Sequence, residues 1–110
     1  MERLEKIFQE LDASPKGKKC KGMEGVIADG KKLMEEEADP EVMDAGLIGA
    51  AQQVEHYEMA GYGCVRTYAE LLGHSNFANL LQKTLDEERA TDEKLTKLAQ
   101  KINVEAEKAA

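Results

Sequence analysis

The 110-residue sequence has little of what a β-sheet or a disulfide-stabilised protein needs. Tryptophan is absent, aromatic residues make up 5%, and no segment alternates apolar and polar residues with the β-branched enrichment typical of strands. Cys20 and Cys64 lie far apart and lack the spacing of a zinc site or a disulfide framework. The only prolines, Pro15 and Pro40, lie beside turn or helix-start residues. These absences predict an all-α protein with both thiols reduced and packed as small apolar side chains.

Long apolar runs and an excess of positive charge are also missing. No run approaches the roughly 18 to 20 apolar residues of a membrane span, and the N-terminal MERLEKIFQELD is charged where a signal peptide is apolar. Fifteen Lys and Arg against 22 Asp and Glu give a net charge of -7. This charge argues against nucleic acid or an anionic membrane as a partner and favours multivalent cations. We therefore expect a single cytoplasmic domain spanning residues 1–110.

Apolar periodicity and capping residues predict four helices, at about residues 3–11, 20–38, 40–72 and 76–108. Asp39 and Pro40 mark the start of the third helix, because Asp caps free backbone N–H groups and Pro at the first position loses no hydrogen bond. Gly73 and Ser75 mark the break before the fourth, with Ser75 as its expected cap. The short connection places the two long helices antiparallel, as a helical hairpin preceded by two shorter helices.

Acidic residues interrupt the apolar faces of the two long helices. At about 100° per residue, Glu58 falls near the middle of the apolar sector of the third helix and Glu55 at its flank. Glu88 and Asp92 occupy corresponding places on the fourth helix. Because the pairs Glu58/Glu88 and Glu55/Asp92 are both centred on the turn, the four acids are predicted to meet inside the bundle. Buried unpaired charges cost several kcal/mol, so a bound cation is the natural partner.

A purely structural interpretation of these acids stays open. Glu55 and Asp92 could lie at the edge of the seam between the helices, where Arg89 and Lys94 could neutralise them. Glu58 and Glu88 fit that interpretation least well, because they lie close to the centres of their apolar faces. The histidines are not predicted ligands, since one, His56, points away from the apolar sector and the other lies in the turn.

Three segments of the sequence resemble one family of bacterial proteins. They are KKCKGMEGVIADGKKLMEE, DPEVMDAGLIGAAQQVEHYEMAGYG and LLQKTLDEERATDEKLTKLA. With them the chain resembles the YciE/YciF family of ferritin-like stress proteins, and CxxMEG and VEHYExAxYG are the most specific motifs. The resemblance implies a ferritin-like four-helix bundle with a central site for two metal ions. It also implies that Glu55, Glu58, Glu88 and Asp92 are metal ligands.

The sequence departs from the family pattern at its start. Members usually begin with a further helix and most of a second, which contribute a Glu and a Glu/His group, whereas this sequence begins after those positions. Half of the ligand set that the resemblance implies is therefore missing. We expect a homodimer in which two hairpins form one four-helix core, because a short first helix and a second helix weakened by glycines cannot cover the apolar faces of one hairpin.

Two functions of different classes follow from these features. The leading hypothesis is a metal-binding protein of the di-iron or di-manganese carboxylate type, acting in stress response or in iron or peroxide handling. Oxygen ligands favour Fe or Mn ahead of Zn, and Ca or Mg also suits such a site. Any activity would be oxidation of Fe(II) by oxygen or peroxide, and the sequence leaves open whether the protein is an enzyme. The alternative is a non-catalytic oligomerisation or partner-binding protein that has lost a complete metal site.

Overall fold

The computed structural model describes all 110 residues, which form four α-helices and no strand. The helices are α1 (Glu2–Glu10), α2 (Lys21–Met34), α3 (Pro40–Leu71) and α4 (Ser75–Ala109). The predicted all-α bundle, with a long hairpin and two shorter N-terminal helices, is confirmed. None of the four helices combines the length and the apolar character needed to cross a membrane.

The hairpin of α3 and α4 sets the shape of the molecule, which measures 53 × 26 × 19 Å. Gly73 takes a positive φ of 79° in the connection, a conformation that glycine adopts without steric cost. The prediction that Ser75 caps α4 is wrong, because Ser75 is the first residue of the helix and His74 precedes it as the cap. The His74 ring instead stacks on Phe77, and its carbonyl oxygen accepts the N–H of Ala78.

Helix α2 ends four residues before its predicted end. The prediction ran to residue 38, but the helix stops at Met34. Residues 35–37 are three consecutive glutamates, and negative charge at a helix C-terminus opposes the negative end of the helix dipole. Asp39 is extended, with φ −58° and ψ 145°, as expected for a residue that precedes proline. Both effects shorten α2, and residues 35–39 form the connection to α3.

The two shorter helices pack on different parts of the hairpin. Helix α1 lies on α4 and α2 lies on α3, and the two have no backbone contact with each other. One cluster of buried residues joins α1 to the turn end of the hairpin; its members are Ile7, Ala69, Phe77, Ala78 and Leu81. Helix α2 approaches α3 closely at Gly46, where an added Cβ would lie 3.0 Å from the Leu33 side chain.

The chain buries few residues for its length. Seven of the 110 residues are buried, and all seven are apolar. Large apolar side chains stay exposed along the hairpin, among them Tyr68 at 59% and Leu72 at 74%. Cys20 and Cys64 are exposed as well, so the prediction that they pack as apolar side chains is wrong. Cys20 precedes α2 as its cap, and Cys64 lies on a part of α3 that no other helix covers. A single chain thus leaves much of the hairpin uncovered.

Candidate metal site

Helices α3 and α4 bring three of the four predicted ligands together. One carboxylate oxygen from each of Glu55, Glu58 and Glu88 lies within 4.8 Å of the others, and all three residues are partly buried. Glu55 and Glu58 are three residues apart, which places them one above the other on one face of α3. Glu88 faces them from the antiparallel α4. We call these three residues the carboxylate cluster.

The carboxylate cluster is electrostatically unfavourable without a cation. Burial raises the pKa of Glu58, and the neighbouring Glu88 carboxyl raises it further. Burial also raises the pKa of Glu88, and the neighbouring Glu55 carboxyl adds to this rise. Like charges this close favour protonation of part of the cluster, whereas a bound cation would favour the ionised form.

A buried atom of Glu55 shows that the cluster lacks a partner. Its Oε2 is shielded from solvent and forms no hydrogen bond. Such groups are uncommon in folded proteins and call for an explanation such as a water or an ion. Three oxygen donors with one unpartnered buried oxygen suit a hard divalent cation, so the residues fit the metal that the resemblance implies.

Asp92, the fourth predicted ligand, lies outside the carboxylate cluster. Its Oδ1 accepts a hydrogen bond of 3.3 Å from Gln52 Nε2 and lies 2.9 Å from His56 Nε2. His56, expected to point away from the apolar sector, is 64% exposed yet reaches across to α4. The sequence contains a signal for this pair, because residues 56 and 92 are centred on position 74 in the turn.

The ion pairs of the structure do not include the cations that the structural interpretation assigned to the acids, Arg89 and Lys94. The ion pairs of the structure are Arg3–Glu87, Lys19–Glu24, His56–Asp92 and Arg66–Glu70. Arg89 and Lys94 appear in none of them. No Lys or Arg side chain therefore neutralises the carboxylate cluster.

A cavity of about 550 Å³ lies against the cluster. Residues 1–4 of the chain form one wall, and Glu58, Tyr62 and Glu88 contribute to the rest. Burial, followed by the charges of Glu58 and Glu88, raises the pKa of Tyr62. An apolar groove of about 350 Å³ adjoins the same two residues, Glu58 and Tyr62, on the side of α2. The carboxylate cluster is therefore reached from the surface between α1 and the hairpin.

A contact that sequence reasoning missed fixes α2 beside the cluster. Cys20 Sγ lies 3.0 Å from the Tyr57 hydroxyl and accepts the N–H of Met23 at 3.5 Å, which caps α2. The Tyr57 hydroxyl, with the backbone N–H of Met23 as a weaker contributor, lowers the pKa of the Cys20 thiol. A Cβ on Gly22 would overlap the Tyr57 ring. Tyr57 precedes Glu58, so this contact connects the CxxMEG motif to the VEHYE motif.

Comparisons with known proteins match nearly the whole chain. A family model described as "Domain of unknown function (DUF892)" matches residues 1–108. Protein YciF of Escherichia coli (strain K12) is 47% identical over 109 residues, which cover 97% of this chain and 66% of that protein.

Two solved structures resemble this one closely. The crystal structure of the E. coli stress protein YciF matches with a TM-score of 0.87 and 47% identity, over 92% of this chain and 64% of that one. YcfI from Rhodopseudomonas palustris matches with a TM-score of 0.82 and 40% identity, over 86% of this chain and 60% of that one. The chain thus spans less than two thirds of the length of each of these relatives.

Proposed function

The chain belongs to the family described as domain of unknown function DUF892, with YciF among its relatives, and we propose that it binds divalent metal ions at Glu55, Glu58 and Glu88. The observation that carries this proposal is the buried, unpartnered Oε2 of Glu55 beside two carboxyl groups that lack a cationic side chain. A divalent cation would supply the missing partner and offset the burial and the mutual repulsion that raise the pKa values of Glu58 and Glu88.

The chemistry of the donors favours Fe(II) or Mn(II). Carboxylate oxygens suit these ions, and Mg²⁺ or Ca²⁺ could also bind, whereas Zn²⁺ prefers sites that include nitrogen or sulfur. Iron or manganese held here would supply redox chemistry, such as oxidation of Fe(II) by oxygen or peroxide. Asp92 as a flanking ligand stays a prediction, since its carboxylate would first have to leave Gln52 and His56.

We further propose that a second copy of the chain completes the bundle. Exposed apolar side chains along the hairpin support this; they are Val65, Tyr68 and Leu71 on α3, Leu72 directly after it, and Leu98 and Val104 on α4. A largely apolar cavity of about 500 Å³ also lies between the far ends of the two helices. A second hairpin would cover such surfaces and add carboxylates to a two-metal site. The stress-protein description of E. coli YciF leads us to propose a cytoplasmic role in stress response, through iron or peroxide handling.

The alternative function is that of a non-catalytic partner-binding protein. The same exposed apolar residues favour it, because they could bind another helical protein instead of a second copy. Under this alternative the carboxylate cluster would be a remnant that binds no metal with useful affinity.

Titration of the metal-depleted protein with Mn(II), followed by calorimetry, separates the two functions. We expect binding by the wild type and none by the double variant Glu58→Gln/Glu88→Gln, which keeps side-chain volume and removes two charges. The matched control is Glu93→Gln/Glu107→Gln, because both residues are exposed on α4 and form no ion pair. Unchanged binding by Glu58→Gln/Glu88→Gln would refute the site, and absence of binding by the wild type would support the alternative.

A further inference from the structure

Arg3 joins α1 to the hairpin through three side-chain hydrogen bonds. Its Nη1 and Nη2 donate to the two carboxylate oxygens of Glu87, at 2.8 and 2.6 Å. Nη1 also donates to Thr84 Oγ1 at 3.0 Å. The guanidinium is therefore held by two residues of successive turns of α4, in the bidentate geometry that gives arginine–carboxylate pairs their strength and specificity.

These three hydrogen bonds hold the first turn of α1 against α4. The other end of α1 is held separately, by burial of Ile7 and by a hydrogen bond of 2.9 Å from Asn76 to Glu10. In the first turn, the partly buried Leu4 also packs against the buried cluster that joins α1 to the hairpin.

The first turn of α1 lies where it can control access to the carboxylate cluster. Residues 1–4 form a wall of the 550 Å³ cavity that Glu58 and Glu88 also line. Glu87 and Glu88 are neighbours on α4, and their side chains have different partners. Glu87 pairs with Arg3, whereas Glu88 faces Glu58. Loss of the Arg3–Glu87 pair would thus free the wall of the cavity without changing a carboxylate of the cluster.

We propose that Arg3 is a positioning residue of the metal site. Through Glu87 and Thr84 it holds the first turn of α1 over Glu58 and Glu88 and slows the entry and release of cations there. This inference rests on the proposed function for the identity of the ligand. The restriction of access by α1 can be measured without any metal.

The two sides of the pair allow a test that separates position from charge. Arg3→Met makes the surroundings of the cluster more negative, and Glu87→Gln makes them less negative. Both variants break the bidentate contact. A common effect on access therefore reports the position of α1, whereas effects of opposite sign report electrostatics alone. Arg89→Met is the matched control. Arg89 is exposed on α4, next to Glu88, and forms no ion pair.

Two measurements on the full chain decide the proposal. Carbodiimide labelling of the metal-free protein, read by mass spectrometry at Glu58 and Glu88, measures access to the carboxylates. Release of Mn(II) into excess EDTA, followed by stopped flow, measures exchange at the loaded site. We expect Arg3→Met and Glu87→Gln to accelerate both by about threefold or more, and Arg89→Met to leave both near wild type. Arg3→Lys should be intermediate, because lysine keeps the charge and loses the bidentate geometry.

Unchanged labelling in both Arg3→Met and Glu87→Gln would overturn the proposal, as would changes of opposite sign that follow the charge. Faster labelling with unchanged Mn(II) release would also overturn it, since α1 would then not limit exchange. If the wild type binds no Mn(II), the proposed function fails, and labelling alone decides whether Arg3 restricts access. Circular dichroism of each variant identifies any that has lost its helices, and Thr84→Val then tests the same contact at the second residue of α4 that accepts from Arg3.

Discussion

At the scale of single residues, Glu58 and Glu88 determine how the metal-free protein responds to pH. Both carboxyl groups have a folded-state pKa above the ordinary value of 4.5. Their contribution to stability is therefore greatest below the unfolded pKa and is lost as the pH rises through the raised folded values. The metal-free wild type should become more stable as the pH falls from neutral towards the ordinary carboxyl pKa of 4.5, before general acid effects begin.

The variant Glu58→Gln/Glu88→Gln should lose most of that pH dependence. At neutral pH it should be more stable than the metal-free wild type by about 1 kcal/mol, a figure kept small because solvent screens partly exposed groups. Urea unfolding of both proteins at several pH values measures this. A variant less stable than the wild type at every pH would show that the two acids stabilise the fold as hydrogen-bonding partners.

Gly22 is the glycine whose replacement should cost most in α2. In Gly22→Ala the new Cβ would overlap Tyr57 and displace it from Cys20, which should destabilise the protein by about 1 to 3 kcal/mol. Gly25→Ala is the control within the same helix, because nothing lies within 4 Å of its added Cβ. That substitution should instead stabilise by about 0.5 to 1 kcal/mol. Equal effects of the two substitutions on urea unfolding would show that Tyr57 moves aside at no cost.

At the scale of secondary-structure elements, Asp92 connects α4 to α3 through Gln52 and His56. If it keeps these partners when metal binds, Asp92→Asn should weaken Mn(II) binding by less than about threefold, the effect expected from a charge outside the site. Glu55→Gln should weaken binding by about tenfold or more, because it removes a charge within the cluster. Calorimetric titration measures both, and a comparable loss in Asp92→Asn would establish Asp92 as a ligand.

At the scale of the whole molecule, the exposed apolar faces predict an obligate homodimer. Sedimentation should give a mass of about 24 kDa, twice the 12.2 kDa of one chain. The melting temperature should rise with protein concentration, because dissociation of such a dimer coincides with unfolding. A well-folded monomer at micromolar concentration, with a melting temperature independent of concentration, would contradict this prediction.

The sequence by itself determined the helical class, the hairpin and the three acids that lie together in the structure, Glu55, Glu58 and Glu88. Helix starts and turns depend on a few neighbouring residues, which is why Pro40 and Gly73 located the long helices. The end of α2 could not be located in this way, because no Gly or Pro directly follows Met34 and the three glutamates after it are residues that also suit a helix.

Only the tertiary structure decided which side chains meet. Helical periodicity places a residue on a face, but contact across two helices also depends on their rotation and on the side-chain rotamers. Asp92 for this reason turns to His56 and not to the carboxylate cluster. The pairs Cys20–Tyr57 and Arg3–Glu87 join residues far apart in the sequence, and no local pattern specifies them. Packing of α1 and α2 on the hairpin brings these residues together, since it sets the distances between side chains on different helices.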